Sequence, residues 1–388
     1  MTQHQYTYLF CDLRTDRILA ELPLQDVEYS TELNGIGTCT ATLPLNSTTA
    51  PLLPMDATIP TRTVLYIDRD GVIVWAGIVW TRRPLERGGQ IYGAQLQAAE
   101  LPSYWQHRHV NVLLSTDPTV LTANGANTAY VPAGQRMYAD QAWIVWSLLQ
   151  YAAADISGAG SIGVDTNLLT APTGITRTRT YDPAERPVIY DLIAQLAEVD
   201  NGFDWGIETG WNGDGSRYRR WQVYYPRRGR PASLTGFTFQ HGPGGNILAP
   251  DWPEDGTLLA TRAIALGSGQ GIGVVVGQAE ATDMLAAGWP LLETVAKYSG
   301  VSEYNTIQSH AAADLAAHSN ATTAPTFSVL ADADPVLGSY TVGDSARFIV
   351  DPNPYYPNGL DDELRIVTIK VTVTSGGPET VALTCVEA

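Results

Sequence analysis

The sequence predicts a mainly β protein with inserted helical and α+β segments. Three observations carry this. Short strand-like runs separated by turn residues fill both ends of the chain, an apolar hairpin folds back at Asp70-Gly71, and helical patterns are confined to the middle. Strands of this length and spacing favour a barrel or a sandwich.

At the N-terminal end the strand signals are Tyr6 to Leu13, Val27 to Leu33, Cys39 to Leu45, the hairpin, and Gln90 to Ala98. Turn chemistry separates them at Thr15-Asp16, Asn34-Gly35, Asp70-Gly71 and Gly88-Gly89. The hairpin is VLYIDRDGVIVWAGIVWTRRP, residues 64–84, and its second arm, Val72 to Thr81, is apolar on both faces. A half-buried surface strand would alternate, so this arm is expected to be covered on both sides, as in a barrel packed against a partner. The Asp-Gly pair supplies the positive φ angles of a tight turn. Closure into a barrel would also remove edges that such apolar strands use to aggregate.

The pattern changes after Tyr104. Met137 to Ala154 reads as a helix with Asp140 as N-cap and Gly158 beyond its end, and its apolar residues cover more than half of its surface, which predicts burial between structural units. Asp155 to Thr180, rich in Gly, Thr and Ser, reads as an extended surface excursion. A second helix follows, with Pro187 at its first position, Ile189, Leu192, Ile193 and Leu196 on one face, and Asn201-Gly202 as its stop. Phe203 to Thr209 and Tyr218 to Tyr225, joined by NGDGS, form a second hairpin, and a helix leading into an antiparallel hairpin is α+β. Asp255 to Gly277 alternates as a strand, and Gln278 to Lys297 and Ser302 to Ala317 read as Ala-rich helices. Strands return at Thr326 to Leu330, Ser345 to Val350, Leu364 to Val373 and Thr380 to Val386.

Composition sets limits. Single cores rarely exceed about 250–300 residues, so a chain of 388 residues is expected to hold about two to four structural units. Ten Trp and nineteen Tyr provide a large aromatic contact area inside or between subunits. The formal net charge is −17, 40 acidic against 23 basic residues, which argues against tight nucleic-acid binding, since that depends on basic groups displacing counterions from phosphates. Cys11, Cys39 and Cys385 lie far apart without CxxC spacing, which speaks against a disulfide scaffold or a zinc site. No apolar run of about 18 residues occurs and the N-terminus lacks a basic-then-apolar signal, so a soluble product without membrane insertion, made in the cytoplasm, is expected.

Catalytic and ligand-binding patterns are weak throughout. The stretch GSGQGIGVVVG, residues 267–277, fails GxGxxG spacing, and no GxxxxGK[ST] occurs, so a flexible loop or strand junction is expected there. His107 and His109 form an HxH pair, but no HExxH or Cys cluster accompanies it and Arg108 adds adverse charge, so no metal is expected. His310 and His318 are two helical turns apart, too far to share an ion. The local acidic pairs Asp182 with Glu185 and Asp361 with Asp362 are explained by capping and turns. Asn212 to Gly215 and Asp351 to Asn353 lack the long loop and closing Glu of a strong calcium site. The expectation is a protein that is not an enzyme and holds no cofactor.

The N-terminal phrase YLFCDLRTDRILAELPLQDVEYSTELNGIGTCTATLPL with the following hairpin closely resembles the N-terminal region of minor tail proteins of long-tailed, siphovirus-type bacteriophages, especially those infecting actinobacteria. PVIYDLIAQLAEVDNGFDW, YTVGD (340–344) and YPNGLDDELRIV (356–367) are similar to segments at corresponding places in those proteins. The resemblance implies the baseplate-hub fold: tail-tube-like β-barrels with α+β material between them. The implied division is an N-terminal β-barrel (1–105), a helix plus loop-rich insertion (106–180), an α+β middle domain (181–325) and a C-terminal β-barrel (326–388). It further implies a homotrimeric hub at the virion tail tip that caps the tail tube, joins it to a central tip or fibre, and surrounds the DNA exit channel. In a channel, an acidic lining would repel phosphates and keep DNA from sticking. The surfaces expected to interlock the trimer are the strand Val72 to Thr81 and the helix Met137 to Ala154, with Trp75, Val79, Trp80, Trp143 and Trp146 as interface residues. One alternative is a host-recognition tip protein that stacks sugar rings on exposed Trp205, Trp211, Trp221 and Tyr224. A second is a tail-associated cell-wall hydrolase, for which no catalytic dyad is evident.

Overall fold

The structure, a computed structural model, describes residues 4–119, 137–154, 159–166, 172–199, 201–298, 303–319, 322–354, 357–374 and 377–388. Gly158, Ser302 and Tyr356 of the sequence reading lie outside the described residues. The chain separates into two units, Met1–Ala249 with Phe327–Ala388, and Pro250–Thr326.

The first unit begins with seven strands: β1 (Tyr6–Asp12), β2 (Ile18–Glu21), β3 (Gln25–Glu32), β4 (Thr38–Pro44), β5 (Thr63–Arg69), β6 (Val72–Arg87) and β7 (Gln90–Glu100). They lie in the order β2-β1-β5-β6-β7-β4-β3, each pair antiparallel. Asp70 and Gly71 take φ of 55° and 86° at the β5–β6 turn, as the Asp-Gly pair requires. Within the arm, residues 73–79 are covered on both sides by their own chain, while Val72 and Thr81 are exposed. Trp75 and Val79 enter the largest core, while Ile73, Ala76 and Ile78 enter a separate cluster on the opposite face.

That opposite face is covered in part by α+β material. β8 (Leu114–Ser115) pairs with β9 (Thr180–Tyr181), and α1 (Gln141–Ala153) and α2 (Ile189–Glu198) pack with the hairpin β10 (Asp204–Trp211) and β11 (Arg217–Tyr224). Asp140 caps α1 by accepting from the Ala142 N–H at 2.9 Å. Pro187 precedes α2 rather than opening it. The described part of the expected surface excursion is partly interior: Ile162 is buried in the cluster with Ile73 and Ile78, and Asp165 bridges to Arg220.

β12 (Thr238–His241) and β13 (Ile247–Asp251) lead to the second unit. There β14 (Glu254–Asp255) pairs with β18 (Thr322–Thr323), and β15 (Arg262–Leu266) lies between antiparallel β16 (Val276–Glu280) and parallel β17 (Glu293–Lys297). α3 (Tyr304–His318) buries Ile307 and Ala311 against Ala265. The helix expected over 278–297 is therefore corrected to strand, one helical turn at Thr282–Ala286, and strand. Gly288 at φ 95° and Pro290 interrupt a helix, and the residues of β17 alternate in exposure with period two. The strand expected over 255–277 shrinks mainly to Arg262–Leu266.

β19 (Thr326–Leu330), β20 (Ser345–Val350), β21 (Leu360–Val373) and β22 (Thr380–Glu387) complete the first unit. With β12 and β13 they form a closed six-stranded barrel in the order β21-β20-β12-β13-β19-β22, closed by β21 on β22. At 14 residues, β21 serves two partners on one edge: Leu360–Arg365 pair with β20 and Thr368–Val373 pair with β3. One strand thus belongs to the barrel and extends the N-terminal sheet. A single core, running from Tyr8 and Phe10 through Trp75 to Phe348 and Cys385, fills both.

Candidate functional site

The part of the first unit where chemistry concentrates is the seam between the N-terminal sheet and the closed barrel. Its backbone is the β3–β21 ladder, on which Lys370 Nζ lies 2.9 Å from Glu28. Two side-chain clasps lie at the β5–β6 turn. His4 places Nδ1 2.5 Å from Asp70 and Nε2 2.7 Å from Asp332. Hydrogen bonds to Asp332 and Asp70 raise its pKa, because an imidazolium donates from both nitrogens. Beside it, Glu379 accepts from Tyr6 Oη and from the Arg69 guanidinium at 2.8 and 3.2 Å, with Arg69 and Glu379 both about nine-tenths buried.

A second node gathers residues far apart in sequence. Asp204 Oδ1 accepts from Asn34 Nδ2 at 2.7 Å, and Oδ2 accepts from the Arg228 N–H at 2.7 Å and from the Arg365 guanidinium. Asn34 belongs to the turn after β3, Asp204 opens β10, and Arg365 lies on β21. The N-terminal sheet, the α+β hairpin and the barrel are thereby held together. Close by, Glu100 accepts from the Gly37 N–H at 2.8 Å and from Thr31 Oγ1 at 3.0 Å, and burial pushes its carboxyl up to about 7. On the opposite face of β5, Arg219 donates to Leu13 O at 2.8 Å, to Tyr66 Oη and to Asp16 Oδ1 at 2.7 Å, which locks β11 onto the sheet.

The five residues expected at an interface separate into two classes. Trp75, with Nε1 donating to Ser30 O at 2.9 Å, and Val79 are fully buried inside the chain. Trp80, Trp143 and Trp146 are half-buried. Trp80 donates to Ser103 Oγ at 2.9 Å and lies 4.6 Å from the His107 ring, and Trp143 meets the exposed Tyr138 edge-on at 5.1 Å.

Of the four residues expected to be exposed for sugar stacking, Trp205 and Trp221 are corrected to buried. Trp205 and Trp221 are buried and stacked on each other at 4.9 Å, Trp211 donates to Asp68 at 2.7 Å beneath Arg217, and Tyr224 donates to Glu208 at 2.7 Å. Packing has taken the faces of Trp205 and Trp221, whereas Trp211 and Tyr224 are half-buried with the Arg217 and Arg228 guanidinium groups over their rings. His107 and His109 are engaged apart, the first with Trp80 and the second with Arg186 O at 2.8 Å. Among the described residues no group of three or more His, Cys, Asp or Glu is placed to hold a metal ion. Asp182 accepts from the Ala184 N–H, Asp214 from Ser216, and Asp361 pairs with Arg347 at 2.6 Å, which accounts for these acids as turn and strand-pair groups. The three cysteines are free and buried, and burial raises their thiols, Cys11 to about 11 and Cys39 to about 12. Among the described residues no helix is long and apolar enough to cross a membrane.

No protein-family model matches the sequence, and no curated protein matches it either. Solved structures do resemble it. The prophage MuSo2 43 kDa tail protein from Shewanella oneidensis matches over 98% of this chain and 98% of its own, at 10% identity and a TM-score of 0.56. The tail protein from Neisseria meningitidis MC58 matches over 97% of this chain and 96% of its own, at 11% identity and a TM-score of 0.54. A chain of the lidded Francisella PdpA-VgrG complex matches over 99% of this chain and 53% of its own, at 9% identity and a TM-score of 0.51. At these identities the likeness is one of fold: this mainly β chain with its closed six-stranded barrel has the fold of phage tail proteins.

Proposed function

We propose that this chain is a structural virion protein, the hub of a siphovirus-type phage tail tip. It caps the tail tube, joins it to a central tip or fibre, and surrounds the channel through which DNA leaves. In this reading residues 1–105 supply one β module, residues 326–388 together with β12 and β13 supply the closed barrel, and the rest of 106–180 and 181–325 is inserted material. The chain acts as a homotrimer, without enzymatic chemistry and without specific affinity for nucleic acid.

The observation that supports it best is the shared strand β21. Two β modules that fill one core and share one strand move as a rigid body, which suits a part that transmits load between a tube and a tip. The acidic balance of −17 suits a wall past which phosphates must slide. Electron microscopy of purified virions labelled with an antibody to this chain tests the proposal. Label at the junction of tube and tip is expected. Label on distal fibres would transfer the role to host recognition, and no label with an accessible epitope would remove the chain from the tail.

A further inference from the structure

The β6–β7 hairpin outruns its neighbour. β4 ends at Pro44, opposite Gly93, whereas β6 and β7 continue pairing beyond Leu85↔Gly93 to Arg87↔Gln90. Residues 86–92 are exposed, with Ile91 at 58% and Tyr92 at 52%. Arg83 and Arg87 are exposed and form no ion pair among the described residues. A cationic tip with two exposed apolar side chains is unusual on a chain of net charge −17.

The complementary feature lies elsewhere on the first unit. A cleft of about 780 Å³ is lined by Leu22, Leu24 and Val27, with the exposed carboxylates of Glu21 and Asp26 at its rim. Neither carboxylate has an ion-pair partner among the described residues. His4, which also lines this cleft, is bonded to Asp70 at the β5–β6 turn, so the cleft adjoins the start of β6. The Arg-rich tip is at the other end of that 16-residue strand, on the order of 50 Å away at the usual rise per residue. A tip held on so long a strand cannot enter the cleft of its own chain.

We propose that the β6–β7 tip seats in the acidic cleft of a second copy of this chain, with Arg83 and Arg87 facing Glu21 and Asp26 and with the exposed Ile91 and Tyr92 withdrawn from solvent. The contact is heterologous, head to tail, and closes a ring when the rotation per copy permits. It rests on the proposed homotrimer, to which it assigns a contact.

The test is the oligomeric state of the full chain by analytical ultracentrifugation at low and high salt. The wild type is expected to associate, more weakly at high salt as screening requires. Arg83→Glu/Arg87→Glu and, separately, Glu21→Lys/Asp26→Asn are each expected to weaken association by about tenfold or more. Asn is chosen at position 26 because its φ is 48°, which Asn tolerates. Mixing the two variants is expected to recover association in part, since the carboxylates introduced at the tip then face the ammonium introduced at the cleft rim while a ring of three copies keeps at least one contact between like variants, a recovery that loss of folding could not give. An oligomer indifferent to both pairs of substitutions would overturn the contact and leave the homotrimer standing. A wild-type monomer at every salt concentration would overturn both.

Discussion

The side-chain amide of Asn34 donates to Asp204 at 2.7 Å, and Asn34 Oδ1 accepts in return from the Trp205 N–H at 2.8 Å. This reciprocal pair links the turn after β3 to the first residues of β10 across 170 positions of sequence. Arg365 on β21 meets the other oxygen of the same carboxylate. Neutralising Asp204 would leave that guanidinium, 11% exposed, without its charge partner. Asp204→Asn is therefore expected to lower the stability of the first unit by about 3–5 kcal/mol. Urea unfolding followed by Trp fluorescence measures it, and a loss below about 1 kcal/mol would show that the node contributes little.

Trp75 fills the core and donates to Ser30 O, so its size and its N–H can be separated. Trp75→Phe keeps most of the volume and is expected to cost about 1–3 kcal/mol, chiefly from the unsatisfied carbonyl. Trp75→Ala is expected to cost about 3–5 kcal/mol, and Trp75→Asp to prevent folding and, under the proposed function, virion incorporation. Denaturation midpoints of the first two and soluble yield of the third decide this. Normal incorporation of Trp75→Asp would refute it.

His4 gives the seam a pH dependence of definite sign. Its folded pKa is raised above the ordinary value of 6.5 by Asp332 and Asp70. The stabilisation is fully present below about pH 6.5 and is lost as pH rises through the folded value. His4→Gln is expected to flatten the decline of melting temperature above pH 6.5. Equal slopes in wild type and variant would mean that the clasp is not held by a protonated ring.

Glu100 acts in the adjoining, more acidic window. Its carboxyl is pushed up from 4.5 to about 7 by burial, so the unfolded chain gives up this proton first. Its contribution to stability is highest below pH 4.5 and declines until about pH 7, after which this group adds no further change. Glu100→Gln mimics the protonated form and keeps an acceptor for Gly37 or Thr31. It is expected to raise the melting temperature at pH 8 relative to wild type. A lower melting temperature there would show that the charged carboxylate is the stabilising form.

The strands at both ends are legible in the sequence because each carries its own signal. Apolar residues, β-branched residues and turn pairs such as Asp70-Gly71 are local, and Thr326–Leu330 and Ser345–Val350 fall where those signals put them. The helix of Ile189 and Leu192 is equally plain. The stretch 278–297 misleads because its Ala content favours a helix, whereas Gly288 and Pro290 and pairing with β15 impose strands. β12 and β13 carry no recognisable signal. Four or five residues each, they are strands because β20 and β19 accept them as neighbours in a closed barrel.

The same division holds at the seam. That Val72 to Thr81 must be covered on both sides is a property of its composition alone and needs no coordinates. That its own chain supplies the cover, placing Trp75 and Val79 inside and leaving Trp80 half-buried, emerges only in the folded arrangement. Hydrophobic burial is non-directional and does not specify its partner. Asn34, Asp204 and Arg365 likewise read as ordinary polar residues, each in its own segment. Ladder register and barrel closure bring them within hydrogen-bond distance, and no local periodicity records a pairing that spans so many residues.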